Sequence, residues 1–333
     1  LRQKTSIKIM KSALYNALSN LGLHNQFMFN ALQMNNGVTS EGQLPLFSEI
    51  AQMAGFPATD WSWGPLAFDM DNDGFKDLHI ANGIKRDLIN LDYIIFKNRQ
   101  LKALMDGEID DKEYVNSLLA ITPHRLTADY FYRNRGDLTF EKMNGIWVED
   151  LPSCNNGSAY ADLDNDGDLD VVVNNSGGAS FIYKNLAREN KTGNYLQFKL
   201  EGPEANPLGI GARITVRQND QTQIIEQYLT RGFLSSSTSV LHLGTGRENR
   251  VSSVEIIWPD GKKQKIEDVE CNQRLILAHE QANETHYYSY RRPSPFRDIT
   301  QETGLKHIHQ ENDFDDFVRE FMLPHRMSTQ GPA

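Results

Sequence analysis

The chain has 333 residues, a formal net charge of −10, and 39% hydrophobic and 23% charged residues. That length accommodates two domains, and the composition is ordinary for a globular protein. With no basic excess, nucleic acid is not an expected partner, and no run of about 18 apolar residues offers a helical membrane span in this stretch.

In chain order, residues 1–34 place Ile9, Ala13, Leu14, Ala17, Leu18 and Leu21 at helix-compatible spacing, and a strand region begins between Asn25 and Asn35. Trp61-Ser62-Trp63-Gly64-Pro65 comes next. The two Trp suit either a carbohydrate-stacking platform or packing between sheets. An acidic loop follows directly: Asp69-Met70-Asp71-Asn72-Asp73-Gly74-Phe75-Lys76-Asp77. Residues 86–121 break the β pattern, with Phe96, Leu101, Leu104 and Met105 at helical spacing. Asp110-Asp111-Lys112-Glu113 then starts a second helix carrying Tyr114, Val115, Leu118 and Leu119.

A near copy of the acidic loop spans Ala161-Asp162-Leu163-Asp164-Asn165-Asp166-Gly167-Asp168-Leu169-Asp170. Carboxylates at relative positions 1, 3, 5 and 9 of a tightly turning backbone suit a hard cation that takes six to eight oxygens at about 2.3–2.6 Å. Gly at position 6 permits the positive-φ bend round the ion. Position 7, Phe75 or Asp168, would offer its backbone carbonyl. The expected ligands of two structural Ca²⁺ sites are therefore Asp69, Asp71, Asp73, Phe75 and Asp77, and Asp162, Asp164, Asp166, Asp168 and Asp170. The two loops hold nine Asp, so much of the acidity is local, and without a cation it repels itself. The sequence argues against an EF-hand: position 12 is Ile80 or Val173 rather than Glu, and each loop runs into a short apolar run that reads as a strand rather than a helix. The competing reading is an Asp/Asn/Gly-rich surface turn that holds no ion.

These stretches resemble the FG-GAP/VCBS repeat, a β-propeller blade unit with a calcium loop. The resemblance extends to Asn134-Arg135-Gly136-Asp137-Leu138-Thr139-Phe140, similar to the strand-turn-strand that opens such a blade, and to Asn35-Asn36-Gly37 with Leu46-Phe47-Ser48-Glu49-Ile50. It implies a second blade over residues 122–185, and it favours packing for the Trp-Ser-Trp run. The acidic loops lie 93 residues apart. A blade takes about 40–50 residues, so a helical insertion over about 86–121 accounts for the excess. That insertion is either a projecting partner-binding element or a lid packed over the blade edge.

From residue 190 the Asp-rich loops vanish and strands alternate, as in Tyr195-Leu196-Gln197-Phe198-Lys199-Leu200 and Ala212-Arg213-Ile214-Thr215-Val216-Arg217. Pro259-Asp260-Gly261-Lys262 is a strong turn signal. The pattern suggests a small antiparallel sandwich or barrel. Gly209-Ile210-Gly211-Ala212-Arg213, Arg231-Gly232-Phe233-Leu234-Ser235-Ser236, Leu241-His242-Leu243-Gly244 and Trp258-Pro259-Asp260-Gly261 resemble the ASPIC/UnbV module. Gly244-Thr245-Gly246 is shorter than the family's usual Gly-rich run. Blades followed by this module resemble the cartilage-acidic-protein-like family of secreted proteins. The expected fold is mainly β: partial propeller blades over 1–188, an ASPIC/UnbV-like β module over 189–282, and the start of a second, truncated propeller repeat over 283–333. In that last stretch His307, His309, Glu311, Asp313, Asp315 and Asp316 cluster, either as a metal site or as the opening of a new propeller. A chain starting Leu1-Arg2-Gln3 and stopping at Gly331-Pro332-Ala333 reads as a piece of a larger polypeptide, so missing targeting signals carry no weight.

Cys154 and Cys271 are the only cysteines, compatible with one disulfide or two buried thiols. For catalysis, Ser235-Ser236-Ser237 lacks a nucleophile elbow, and His242 sits in an alternating strand. Gly209-Ile210-Gly211 precedes a strand where a dinucleotide site needs a helix. Two functions remain. The first is a non-enzymatic, calcium-stabilised extracellular, cell-surface or periplasmic scaffold for a protein or carbohydrate ligand. The alternative is a polysaccharide-active lyase or hydrolase built on a propeller, with Trp61, Trp63 and His242 near its groove.

Overall fold

The computed structural model describes residues 20–21, 29–38, 44–219, 221–286, 296 and 299–304. The chain divides into two compact units, Leu1–His286 and Tyr287–Ala333. The helical pattern from Ile9 to Leu18 and the cluster from His307 to Asp316 lie outside the described residues.

The first unit begins with a hairpin of β1 (Gln33–Asn35) and β2 (Phe47–Glu49). A four-stranded antiparallel sheet follows, ordered β3 (Ser62–Phe68), β4 (Asp77–Asn82), β5 (Tyr130–Asn134) and β6 (Phe140–Lys142). The predicted insertion, α1 (Leu91–Met105) and α2 (Asp111–Ile121), lies between β4 and β5. The Asn90 and Asp110 side chains accept from first-turn N–H groups and cap the two helices. Tyr93 is the buried residue of α1, while Ile95, Val115 and Leu119 are exposed. The hairpin therefore projects rather than closing down as a lid.

One expectation is corrected. Residues 130–142 do not open a second blade; they complete the first. The bridge between Ile84 and Arg125 closes the insertion at its base, so the returning chain pairs directly with β4, in register Leu78 with Tyr132 and Ile80 with Tyr130. The second sheet is β7 (Asn155–Ala161), β8 (Asp170–Asn175) and β9 (Phe181–Tyr183). Between the two sheets, Leu66, Phe68, Met70, Phe131 and Met143 pack against Tyr160, Leu169, Val171 and Val173. Phe68 stacks on Tyr160 with centroids 4.5 Å apart.

The third part is a two-sheet sandwich. One sheet is ordered β13 (Leu241–Gly246), β10 (Asn194–Glu201), β16 (Gln273–Ala278). The other is β12 (Gln221–Glu226), β11 (Arg213–Gln218), β14 (Arg250–Ile257), β15 (Lys262–Glu270), β17 (Glu284–Thr285). Leu196, Phe198, Ile214, Val216, Leu243, Ile256 and Trp258 fill the space between them. The β10–β16 pair is parallel within an otherwise antiparallel module. β16 arrives from the facing sheet over a sharp corner at Asn272 (φ 59°), and that corner sets its direction in place of a hairpin. Cys154 and Cys271 are free and buried. In the second unit, a short helix α3 (Thr300–Thr303) ends at left-handed Gly304.

Candidate metal centre

The first acidic loop joins β3 to β4 and the second joins β7 to β8, and the same bonds recur in both. Each loop turns through two left-handed residues, Asn72 (φ 60°) and Gly74 (φ 97°), or Asn165 (φ 61°) and Gly167 (φ 98°). The position 1 carboxylate reaches back across the turn: Asp69 Oδ2 accepts from the Gly74 N–H (2.8 Å), and Asp162 Oδ2 from the Gly167 N–H (3.2 Å). The position 5 carboxylate accepts from the N–H of position 7, at 2.9 Å for Asp73 and 3.1 Å for Asp166. Position 9 is a brace. Asp77 accepts from the Met70 and Asn134 N–H groups, both at 2.8 Å, and Asp170 from those of Leu163 (2.9 Å) and Asn185 (2.8 Å). The first loop is thereby tied to the end of the third strand of its sheet, and the second to the segment just after the third strand of its own.

Carboxylate oxygens of Asp69, Asp71 and Asp77 lie within 4.8 Å of one another, as do those of Asp162, Asp164 and Asp166. Asp73 stands outside the first group, bonded to Phe75 and ion-paired with Arg133. Phe75 is half-exposed and packs against Gly136. Asp168 belongs to a different group with Asp166 and Glu189. Asp170 acts as the brace and is outside both groups of the second loop.

Burial pushes the Asp69 carboxyl up to about 7 and Asp77 up to about 8, and the neighbouring carboxylates add to each shift. Burial, and then the charge of Asp73, also raises Asp71. Asp69 Oδ1 and Asp166 Oδ2 are buried with no hydrogen-bond partner. Clustered, desolvated, all-oxygen donors with orphaned lone pairs fit a hard divalent cation.

The sequence reasoning missed a basic residue over each loop. Arg133 pairs with Asp71 (2.7 Å) and Asp73 (3.1 Å); Lys184 pairs with Asp164 (2.7 Å) and approaches Asp166 (3.7 Å). The signal was the repeated run Tyr132-Arg133-Asn134 and Tyr183-Lys184-Asn185, whose Asn supplies the backbone N–H to position 9.

Both loops lie against the β13-β10-β16 sheet of the sandwich. The Gly244 N–H donates to Asp69 Oδ2 (3.1 Å), and the Gly246 N–H donates to the Asn72 carbonyl (2.9 Å). His242 Nε2 bonds Asn72 Oδ1 at 2.7 Å. In the second loop, Gln197 Nε2 donates to Asp162 Oδ2 (2.6 Å), and Arg274 donates to both Asn165 Oδ1 (3.2 Å) and Gln197 Oε1 (2.7 Å). The loops also meet each other, Asn72 Nδ2 donating to the Gly167 carbonyl (3.2 Å). The fit leaves no room for a side chain at Gly244, where a Cβ would collide with Asp69 Oδ2 and lie 2.5–2.6 Å from the Asn72 backbone.

Burial, followed by the nearby Lys76 charge, lowers His242 to about 3, so its imidazole is neutral. It acts as a joint residue rather than a general base. Trp63 packs on Phe233 of the sandwich region (centroids 5.0 Å), and its Nε1 donates to the Gly83 carbonyl (2.7 Å). That is the packing role. Among the described residues, no helix is long and apolar enough to cross a membrane.

Residues 118–173 match the FG-GAP-like repeat family, and residues 202–284 match the family described as ASPIC and UnbV. No curated protein matches the chain. The first match holds β5 through most of β8 and the second acidic loop. The first loop lies outside it but repeats its bonding pattern. The chain thus carries FG-GAP-like repeat structure, of the β-propeller-like kind, joined to an ASPIC/UnbV domain.

Proposed function

We propose that this repeat-plus-domain chain is a non-enzymatic, calcium-stabilised binding scaffold in which two Ca²⁺ ions secure the joint between the propeller-like sheets and the ASPIC/UnbV domain. The observation that carries this reading is the Gly244 N–H bond to Asp69, together with Gln197 bonded to Asp162: the first carboxylate of each loop is also a contact to the domain. Asp69, Asp71, Asp73, Asp77 and the Phe75 carbonyl would hold one ion. Asp162, Asp164, Asp166 and the residue 168 carbonyl would hold the other, with Asp170 bracing the loop beneath it. When bound, each ion supplies the positive charge that Arg133 or Lys184 provides only in part.

Such a device suits a compartment with constant high calcium, outside the cell, at its surface or in the periplasm. Extracellular modules bind with Kd values of about 10⁻⁴–10⁻³ M. At ~1 mM Ca²⁺ and a Kd of ~10⁻⁴ M, each ion adds about 1.4 kcal/mol to folding. The ligand is a protein or glycan held away from the joint, and the projecting α1–α2 hairpin, with Ile95, Val115 and Leu119 exposed, offers apolar area to a protein. The enzyme alternative loses support because Trp63 and His242 are both committed to packing.

The test is thermal unfolding with and without EDTA. The chelator lowers the Tm of the wild type, and Asp71→Ala with Asp164→Ala reproduces most of that loss and sharply reduces the response to chelator. An EDTA melting curve that overlays the calcium curve would refute the proposal.

A further inference from the structure

Position 7 differs between the loops. Phe75 turns its ring onto Gly136, whereas Asp168 is only 1% exposed and turns its carboxyl group inward. Asp168 Oδ2 accepts from the Arg188 N–H (2.9 Å), but Oδ1 is buried without any partner. Asp166 Oδ2 is likewise buried and unbonded. One oxygen each from Asp166, Asp168 and Glu189 lies within 4.8 Å of the other two. Two carboxylate oxygens taken from water with no donor are costly unless a cation sits between them.

Lys184 does not meet that need. Its Nζ reaches Glu189 (3.1 Å) and Asp164 (2.7 Å) but stops 3.7 Å from Asp166. Among the described residues, no Lys, Arg or His nitrogen forms an ion pair with Asp168. The charge balance points the same way. With every carboxyl ionised, Asp162, Asp164, Asp166, Asp168, Asp170 and Glu189 face two paired cations, Lys184 and Arg274, a formal excess of four negative charges. Two divalent ions neutralise that excess, and one leaves half of it.

We propose a further Ca²⁺ site beside the second loop, formed by the side chains of Asp166, Asp168 and Glu189, with Asp166 shared between this ion and the loop ion. The donors are all carboxylate oxygens, the chemistry a hard cation takes, and Glu189 at the rim leaves one side open to water ligands. The site rests on the calcium reading of the loops, because it borrows Asp166 from one of them. It makes the second loop a two-ion centre and the first a one-ion centre, the difference being Asp168 in place of Phe75 and the addition of Glu189.

The test is the number of ions bound per chain, measured by equilibrium dialysis with radioactive calcium. The wild type binds three. Glu189→Ala removes an exposed donor, and Asp168→Asn keeps an acceptor for the Arg188 N–H; each variant loses one equivalent, while circular dichroism stays unchanged. Asp71→Asn loses a different equivalent, and the loss adds to that of Glu189→Ala. A count that Glu189→Ala leaves unchanged overturns this site and leaves the loop ions standing. A wild-type count of zero overturns the loop reading itself.

Discussion

Replacing Gly244 by Ala isolates the contact between the first loop and the domain. The added Cβ would fall on Asp69 Oδ2 and lie 2.5–2.6 Å from Asn72 backbone atoms, well inside van der Waals contact, so β13 and the loop must separate by about 1 Å. Three bonds depend on the present spacing: Gly244 N–H to Asp69 (3.1 Å), Gly246 N–H to the Asn72 carbonyl (2.9 Å) and His242 to Asn72 (2.7 Å). One involves a charged acceptor and contributes ~1.5–3 kcal/mol; the other two contribute ~1 kcal/mol each. The expected loss is therefore about 4 kcal/mol, or roughly 6 °C in Tm for a chain of this size. The assay is differential scanning calorimetry of Gly244→Ala and wild type, each in calcium and in EDTA. Because the loop's first ligand is displaced, Gly244→Ala also responds less to calcium. A variant that melts within a degree or two of the wild type and responds fully to calcium would refute the argument that the domain is seated on the loop.

The remaining predictions concern charge and packing. Asp69 and Asp77 have folded pKa values of about 7 and about 8, above the unfolded value of 3.8, so the ion-free folded chain holds protons that the unfolded chain has released. In EDTA its stability falls as pH rises from about 4 to 8, by on the order of 4 kcal/mol from Asp69 alone, whereas in calcium the trend disappears; equal slopes of Tm against pH in the two buffers would contradict this. Arg133→Met removes the cation over Asp71 and Asp73, so it lowers Tm in EDTA and enlarges the rise on adding calcium; an unchanged calcium increment would count against competition between the guanidinium and the ion. Trp63→Ala loses the Phe233 contact and the bond to Gly83, and costs about 3 kcal/mol in urea unfolding. Undiminished stability with lost glycan binding would instead restore the stacking-platform reading.

The acidic loops were legible because ligand spacing is local. Alternate Asp, a Gly at position 6 and a strand afterwards are all written within a dozen residues. The helical insertion was equally legible, through the helix start at Asp110-Asp111-Lys112-Glu113 and through the spacing of apolar residues such as Phe96, Leu101 and Leu104; the cap at Asn90 was not read. Strand partnership was not. Residues 130–134 look like the start of a blade, yet the bridge at Ile84 and Arg125 returns them to β4 across the whole insertion, a long-range pairing that leaves no local mark. The parallel course of β16 beside β10 was hidden for the same reason. Gly244-Thr245-Gly246 read as a shortened Gly-rich run, but two of its glycines exist to admit the first loop: Gly244 against Asp69 and Asn72, and Gly246 against Asp73. Arg133 and Lys184 were overlooked because each approaches its loop from the third strand of the sheet, more than a dozen residues away in sequence.

The central claim is that aspartate oxygens of both loops hold divalent ions at the joint with the ASPIC/UnbV domain. Crystals grown with Tb³⁺ in place of calcium test it most directly through anomalous scattering. The account predicts strong peaks within coordination distance of Asp69 and Asp71 in one loop and of Asp162 and Asp164 in the other, both beneath the β13-β10-β16 sheet. An anomalous map that is flat at both loops, with the chain folded as described, would contradict it.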